Sequence, residues 1–392
     1  MNTHADIVII GSGMAGYMLA QNIRQIESSK SITVVTQNDG RFYPKPMLST
    51  ALYHKKSPDH IVTATAQEMM DKYNIHVMTN APVTEVDFAQ KKVQLPNQSL
   101  AYDQLVFATG SKSNKIPKVK DVEGLLSVNS IEDYETLLDQ LPHAQEILII
   151  GSGLVGIEFS HDLLTAGHRV SMVSQTEEAL WGLVPKAIGL KCRDHLIDMG
   201  LEWITDAGVR DVQRQDKKLS VHFSEQPTKQ YDLVLSAIGI APNTDLAKQS
   251  GLNTKRGIIT DTYGRCRAKD VFALGDCAEI YGLNLTYVAP IKQQAQAIAK
   301  TLTGTKTPIH YPAMPVVVKM PTFPLTLVPV REPKITGQWE IQDNADDSGM
   351  IAAFYDEKKL KGFALAGTAT RQRNDWLAKM PGSIVSEDQS AP

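Results

Sequence analysis

Much of the chain alternates two patterns: short continuous apolar runs stopped by glycine or polar residues, and longer stretches with helical spacing. Ile7-Val-Ile-Ile10 ends at Gly11 and Ile147-Leu-Ile-Ile150 ends at Gly151, and a helical pattern follows each. Uninterrupted runs of this length predict strands covered on both faces, and their alternation with helices predicts α/β units. Ser31 to Thr36 and Tyr102 to Gly110 continue the first unit, while His168 to Ser174 and Tyr231 to Gly239 continue the second. Asp270 to Asp276 reads as a further strand of the first unit, which makes the second unit an insertion. The stretch from Ser111 to Glu123, polar and broken by Pro117, is expected to be a loop. Beyond Ile309, Pro312, Pro315, Pro321, Pro324, Pro329 and Pro333 separate short β-branched runs such as Val316-Val-Val318, predicting a β-rich cap. The expected fold is α/β: two Rossmann-like dinucleotide-binding domains, at 1–112 with 240–309 and at 113–239, plus a small C-terminal α+β cap at 310–392.

Each leading strand runs into G-x-G-x-x-G: Gly11-Ser12-Gly13-Met14-Ala15-Gly16, then Gly151-Ser-Gly153-Leu154-Val155-Gly156. The first glycine permits the tight turn, the second lets the main chain approach a pyrophosphate, and the third lets helix pack on strand. The helix N-terminus is thereby aimed at phosphate. Two such turns in the same strand-to-helix context predict two bound dinucleotides.

Composition narrows the field. At 392 residues and net charge −3, without a long basic tract, the chain is expected to form more than one domain and not to bind nucleic acid. Met1 to Asp6 lead straight into a strand, so no signal peptide is expected, and no apolar run reaches the ~18 residues of a membrane span. The three cysteines, Cys192, Cys266 and Cys277, form no C-x-x-C and fit a reduced, cytoplasmic protein.

Five motifs then carry a resemblance. Gly11 to Gly16, Ala108-Thr109-Gly110, the second glycine turn followed by Glu158, Ala237-Ile-Gly239-Ile-Ala-Pro242-Asn243, and Leu274-Gly-Asp276-Cys-Ala occur in the order found in two-dinucleotide FAD/NAD(P)-binding pyridine nucleotide oxidoreductases. More narrowly, Asp39-Gly-Arg41-Phe-Tyr-Pro-Lys45-Pro46-Met-Leu-Ser-Thr50 and Val318-Lys319-Met-Pro321-Thr-Phe-Pro324 resemble the rubredoxin–NAD(+) reductase family. The resemblance implies FAD on the first unit, its pyrophosphate at Gly13 to Gly16 and a ribityl hydroxyl on Asp276. Thr36, Val83, Ala108, Thr109 and Gly110 are expected beside it. The helix after Pro290 would present its N-terminus, through the Val288 amide, to the flavin pyrimidine edge. Arg41, Lys45, Pro46 and Lys319 are expected at the flavin or its phosphates. On the second unit the resemblance implies NADH, held by the glycine turn with Ser174 and Gly239. Glu158 would orient the nicotinamide, with Lys45 and Lys319 as further catalytic candidates. By position, Glu158 reads as a first-turn residue of its helix, where helix-dipole stabilisation is the competing role.

The acidic residue that often binds a dinucleotide ribose about 20 residues past the glycines is replaced by Thr36 and Gln37 in one unit and by Ser174 and Gln175 in the other. Asp39 and Glu177 are the remaining candidates. No Arg or Lys lies between Ser174 and Trp181 to hold a 2′-phosphate, which favours NADH over NADPH. Around Lys45 to Thr50 there is no cysteine of the kind that disulfide reductases and flavin peroxidases place beside the flavin. Electrons are therefore expected to leave directly to a one-electron protein acceptor; the resemblance implies that this is rubredoxin, as in supply of an alkane monooxygenase, or else a ferredoxin or flavorubredoxin. An FAD- and NADH-binding sensor or scaffold is the reading from another class. A quinone reductase is disfavoured, because residues 377–392 lack an amphipathic anchor. An acidic carrier would call for a local basic rim, with Lys45, Lys319, Lys292, Arg371 and Arg373 as candidates.

Overall fold

The computed structural model describes residues 3–205, 207–330, 336–343 and 348–383; Pro333 and the tail from residue 384 lie outside these. Strand His4–Ile10 pairs in parallel with Ile32–Val35 on one side and Gln98–Phe107 on the other, within a seven-stranded sheet. The late strand Val271–Ala273 joins the same sheet through Leu105 to Phe107. The second unit has a five-stranded parallel sheet in the order Glu202–Ile204, Arg169–Val173, Glu146–Ile150, Leu233–Ser236, Leu125–Leu126. A three-stranded antiparallel layer, Val209–Gln215, Lys218–Phe223 and Lys229–Tyr231, packs beside it. Both leading strands are almost wholly buried, as their unbroken apolar runs require.

The chain crosses between the two units twice, and the crossings lie side by side. Ser111–Ser113 pairs antiparallel with Ile240–Pro242 in a two-stranded ribbon. The first part of the expected Ser111 to Glu123 loop is thus a strand; the ribbon satisfies the main-chain groups of a polar segment that carries no apolar signal.

From residue 316 onward, an antiparallel sheet in the order Val316–Val318, Leu325–Val328, Lys359–Gly367, Gly349–Asp356, Gln338–Asp343 forms the cap, with helix Arg373–Lys379 against it. One apolar cluster joins three regions of the chain: Leu48, Ala51 and Ile61 of the first unit, Ile147 and Ile149 of the second, and Val318, Met320 and Leu325 of the cap. Among the described residues no helix is long and apolar enough to cross a membrane.

Candidate functional site

The two glycine turns open onto one cavity of about 1500 Å³, larger than the ~300–1,000 Å³ of an ordinary ligand cleft. Gly13 and Gly153 are the N-caps of helices Met14–Ile26 and Leu154–Thr165. A Cβ on either glycine would meet nothing within 4 Å, so main chain is bared to the cavity where a pyrophosphate must approach. The outer glycines serve packing. Gly11 and Gly151 have φ of +117° and +104°, and a Cβ on Gly16 or Gly156 would lie 1.9 Å from the carbonyl oxygen of Gly11 or Gly151. Each turn is also tied to the end of its second strand by the serine between its glycines. The Ser12 hydroxyl donates to Thr36 Oγ1 at 2.9 Å, and Ser152 and Ser174 share a hydrogen bond of 2.8 Å. These exposed amides and glycine cradles fit two dinucleotides meeting within one cleft.

Glu158 lies between the two turns. It is the fifth residue of its helix, not a first-turn residue, and its carboxylate faces other parts of the chain. Oε2 accepts from the Ser49 hydroxyl at 2.6 Å and from the Lys319 ammonium, and Oε1 accepts from the Lys319 amide at 2.9 Å. The residue is 3% exposed, so the helix-dipole role gives way to a buried ion pair joining both units and the cap. Breaking such a pair by removing one partner strands a buried charge.

Asp276 accepts from the Ser111 hydroxyl at 2.7 Å and has the Lys45 ammonium 3.9 Å away. Burial lowers the Lys45 pKa below the ordinary lysine value, against the pull of Asp276 and Asp133. Lys45 and Lys319 are thus held by carboxylates within the cavity and do not form an outward rim; Lys292, Arg371 and Arg373 are exposed. Val288 is the first residue of helix Val288–Leu302, and its N-terminal turn lines the same cavity.

Ser12, Gly13, Met14, Ala15, Pro46, Ala108 and Gly110 line the cavity, as do Gly151, Gly153, Leu154, Val155, Ser174 and Gly239. Several expected contacts stand back from it. Thr36 is buried behind Ser12, the Thr109 hydroxyl donates to the Asn243 carbonyl at 2.7 Å, and Val83 packs on the first unit's core. Arg41 reaches the cavity, and its guanidinium is met by Asp39 at 2.7 Å, Glu135 at 2.6 Å and Glu132 at 3.3 Å. Asp39 is therefore paired, and Glu177 binds Lys186 at 2.9 Å and Arg193 at 3.3 Å. Neither lines the cavity; Gln175 and Thr176 do.

Sequence reasoning missed Ser152 and Ser111, whose partners are distant in the chain, and Trp181, 70% exposed at the cavity mouth. The main chain before Trp181 is fixed by a bond from the Leu180 amide to the Ser152 carbonyl at 2.9 Å, with Leu180 at φ +57°. All three cysteines are buried, and none lines the cavity.

Comparison with known proteins agrees with this arrangement. A rubredoxin–NAD(+) reductase of Acinetobacter baylyi is 36% identical over 97% of this chain and 99% of its own. A nitric oxide reductase FlRd–NAD(+) reductase of Shigella dysenteriae is 32% identical over 96% and 99%. The crystal structure of NADH:rubredoxin oxidoreductase from Clostridium acetobutylicum superposes with a TM-score of 0.78 at 22% identity, covering 98% of each chain. A model of a rubredoxin-binding C-terminal domain matches residues 308–380, which hold the cap sheet. Both glycine turns, Glu158 and Asp276 fall within residues 5–298, and the family model matching that span shows that the chain belongs to the pyridine nucleotide-disulphide oxidoreductases.

Proposed function

We propose that this protein is an FAD-dependent NADH oxidoreductase that passes single electrons to rubredoxin in the cytoplasm, as in supply of an alkane monooxygenase. The observation that carries this reading is one cavity with a dinucleotide turn from each unit, crossed by the Glu158–Lys319 pair and lined by no cysteine. Bound FAD supplies the conversion between a two-electron nicotinamide donor and a one-electron iron carrier. The chain contributes positioning. Gly13 to Ala15 and Asp276 would hold FAD, Gly153 to Val155 with Ser174 would hold NADH, and Glu158 would orient the nicotinamide between them. Without a thiol at the cavity, the acceptor must dock directly over it. The 32% identical relative keeps flavorubredoxin in play as a second acceptor. Comparing rubredoxin, ferredoxin, flavorubredoxin, quinone and oxygen under NADH tests the assignment; cytochrome c reduction that does not respond to added rubredoxin would overturn it and favour a sensor.

For the nucleotide, kcat/KM is expected to be at least about tenfold higher with NADH than with NADPH, about 1.4 kcal/mol. Gln175 and Thr176 line the cavity, while the nearby cations Lys186 and Arg193 are already held by Glu177. A 2′-phosphate would have to displace that carboxylate. Equal steady-state rates with the two nucleotides would refute the preference.

Rubredoxin reduction is expected to fall severalfold as ionic strength rises from about 0.01 to about 0.5 M, because the Debye length shrinks over that range. The exposed cations Lys292, Arg371 and Arg373 are the candidates for meeting an acidic carrier. Flavin reduction by NADH should change much less, and a rubredoxin rate indifferent to salt would exclude a basic docking face.

A further inference from the structure

Glu158 shares its helix face with a second carboxylate that the functional reading leaves unused. Asp162, one turn later in helix Leu154–Thr165, is fully buried. Its Oδ1 accepts from the Tyr53 amide at 2.6 Å and its Oδ2 from the Leu52 amide at 3.1 Å. Those amides follow the short 3₁₀ helix Lys45–Thr50, whose Ser49 hydroxyl donates to Glu158. One face of the helix is therefore stitched to the first unit at two successive points, by Glu158 at Ser49 and by Asp162 at Leu52 and Tyr53. Between them the two carboxylates set how Glu158, Ser49 and Lys45 line up across the cavity.

We propose that Asp162 is a positioning residue for Glu158, fixing the helix against the Lys45–Tyr53 segment so that the nicotinamide and flavin sites are held in one register. This rests on the reading given under Proposed function. Charge-assisted bonds to main-chain amides are the strong kind, so the ionised form of Asp162 holds the register more firmly than the neutral form. Burial, opposed by the Tyr53 and Leu52 amides and reinforced by the Glu158 charge, pushes its pKa up to about 7. The titratable groups around it are Glu158 on its own helix and Tyr134 of helix Ile131–Gln140, with the Lys319 ammonium beyond Glu158. His161 adjoins it in sequence, but that ring lies tilted against Tyr53 and hydrogen-bonds to Thr322.

The test is anaerobic flavin bleaching by NADH in the FAD-loaded protein, followed against pH by stopped flow. In the wild type the rate should rise through a bend near pH 7 to a plateau. Asp162→Asn should run about tenfold slower than that plateau with no bend, while FAD content and NADH affinity stay within about twofold. In Glu158→Gln, whatever its rate, loss of the neighbouring charge should move the bend to lower pH. A merely structural role would lower the Tm of Asp162→Asn and leave the profile in place, which would overturn the proposal. So would a flat wild-type profile, a result that stands even if Asp162→Asn fails to fold. Failure of NADH to bleach the wild-type flavin at any pH would instead count against the functional reading.

Discussion

Replacing Glu158 with alanine should slow anaerobic flavin bleaching by NADH about 100-fold, the loss expected when a reacting pair is misplaced by about an ångström. The carboxylate is the meeting point of three regions: Ser49 from the first unit, its own helix from the second, and Lys319 from the cap. Truncation would remove the Glu158 partner of the Ser49 hydroxyl and leave the half-buried Lys319 side chain without its carboxylate. The bared main chain at Gly13 and the Asp276 carboxylate are untouched, so FAD should remain bound. Stopped-flow absorbance together with the flavin-to-protein ratio measures both effects. Bleaching at the wild-type rate with a lowered Tm would make Glu158 a structural ion-pair residue only.

An equally large and more selective effect is expected from Gly156→Ala. Its Cβ would lie 1.9 Å from the Gly151 carbonyl oxygen, a main-chain atom that cannot swing aside. Helix Leu154–Thr165 must retreat from its strand, carrying the amides of the second turn away from the pyrophosphate. The Kd for NADH should rise at least about 100-fold, roughly 2.7 kcal/mol, with FAD retained. Gly16→Ala, with the matching 1.9 Å contact to Gly11, should invert the outcome and yield protein without flavin. Calorimetric NADH titration and flavin absorbance separate the two; unchanged nucleotide affinity in Gly156→Ala would mean that the turn is not where the dinucleotide binds.

What could be read from the sequence was local. The glycine turns and leading strands are legible because a buried parallel strand and a tight turn write their constraints into adjacent residues. The return of Val271–Ala273 to the first sheet was legible for the same reason. Glu158 was recognisable as the candidate for orienting the nicotinamide, but its ion pair was not, because its partners lie 109 and 161 positions away. The pairing of the charges was not legible either: Lys45 and Lys319, expected at the flavin and as members of a rim, are each met by a carboxylate at the cavity, and Arg41 is met by Glu132 and Glu135 from a distant helix. The strand Ser111–Ser113 is made of three polar residues, so it leaves no apolar pattern to find.

The apolar cluster shared by Leu48, Ile147 and Val318 limits how a protein of this kind can be redesigned for a new electron carrier. Exchanging the whole cap for another would leave mismatched side chains at a three-way apolar junction, so chimeras should aggregate more readily than they change partner. Point changes at the cavity rim avoid that. Val317, half exposed where its strand borders the cavity and outside the apolar cluster, can be altered without disturbing the junction beneath, which makes it the natural first position in any library for acceptor choice.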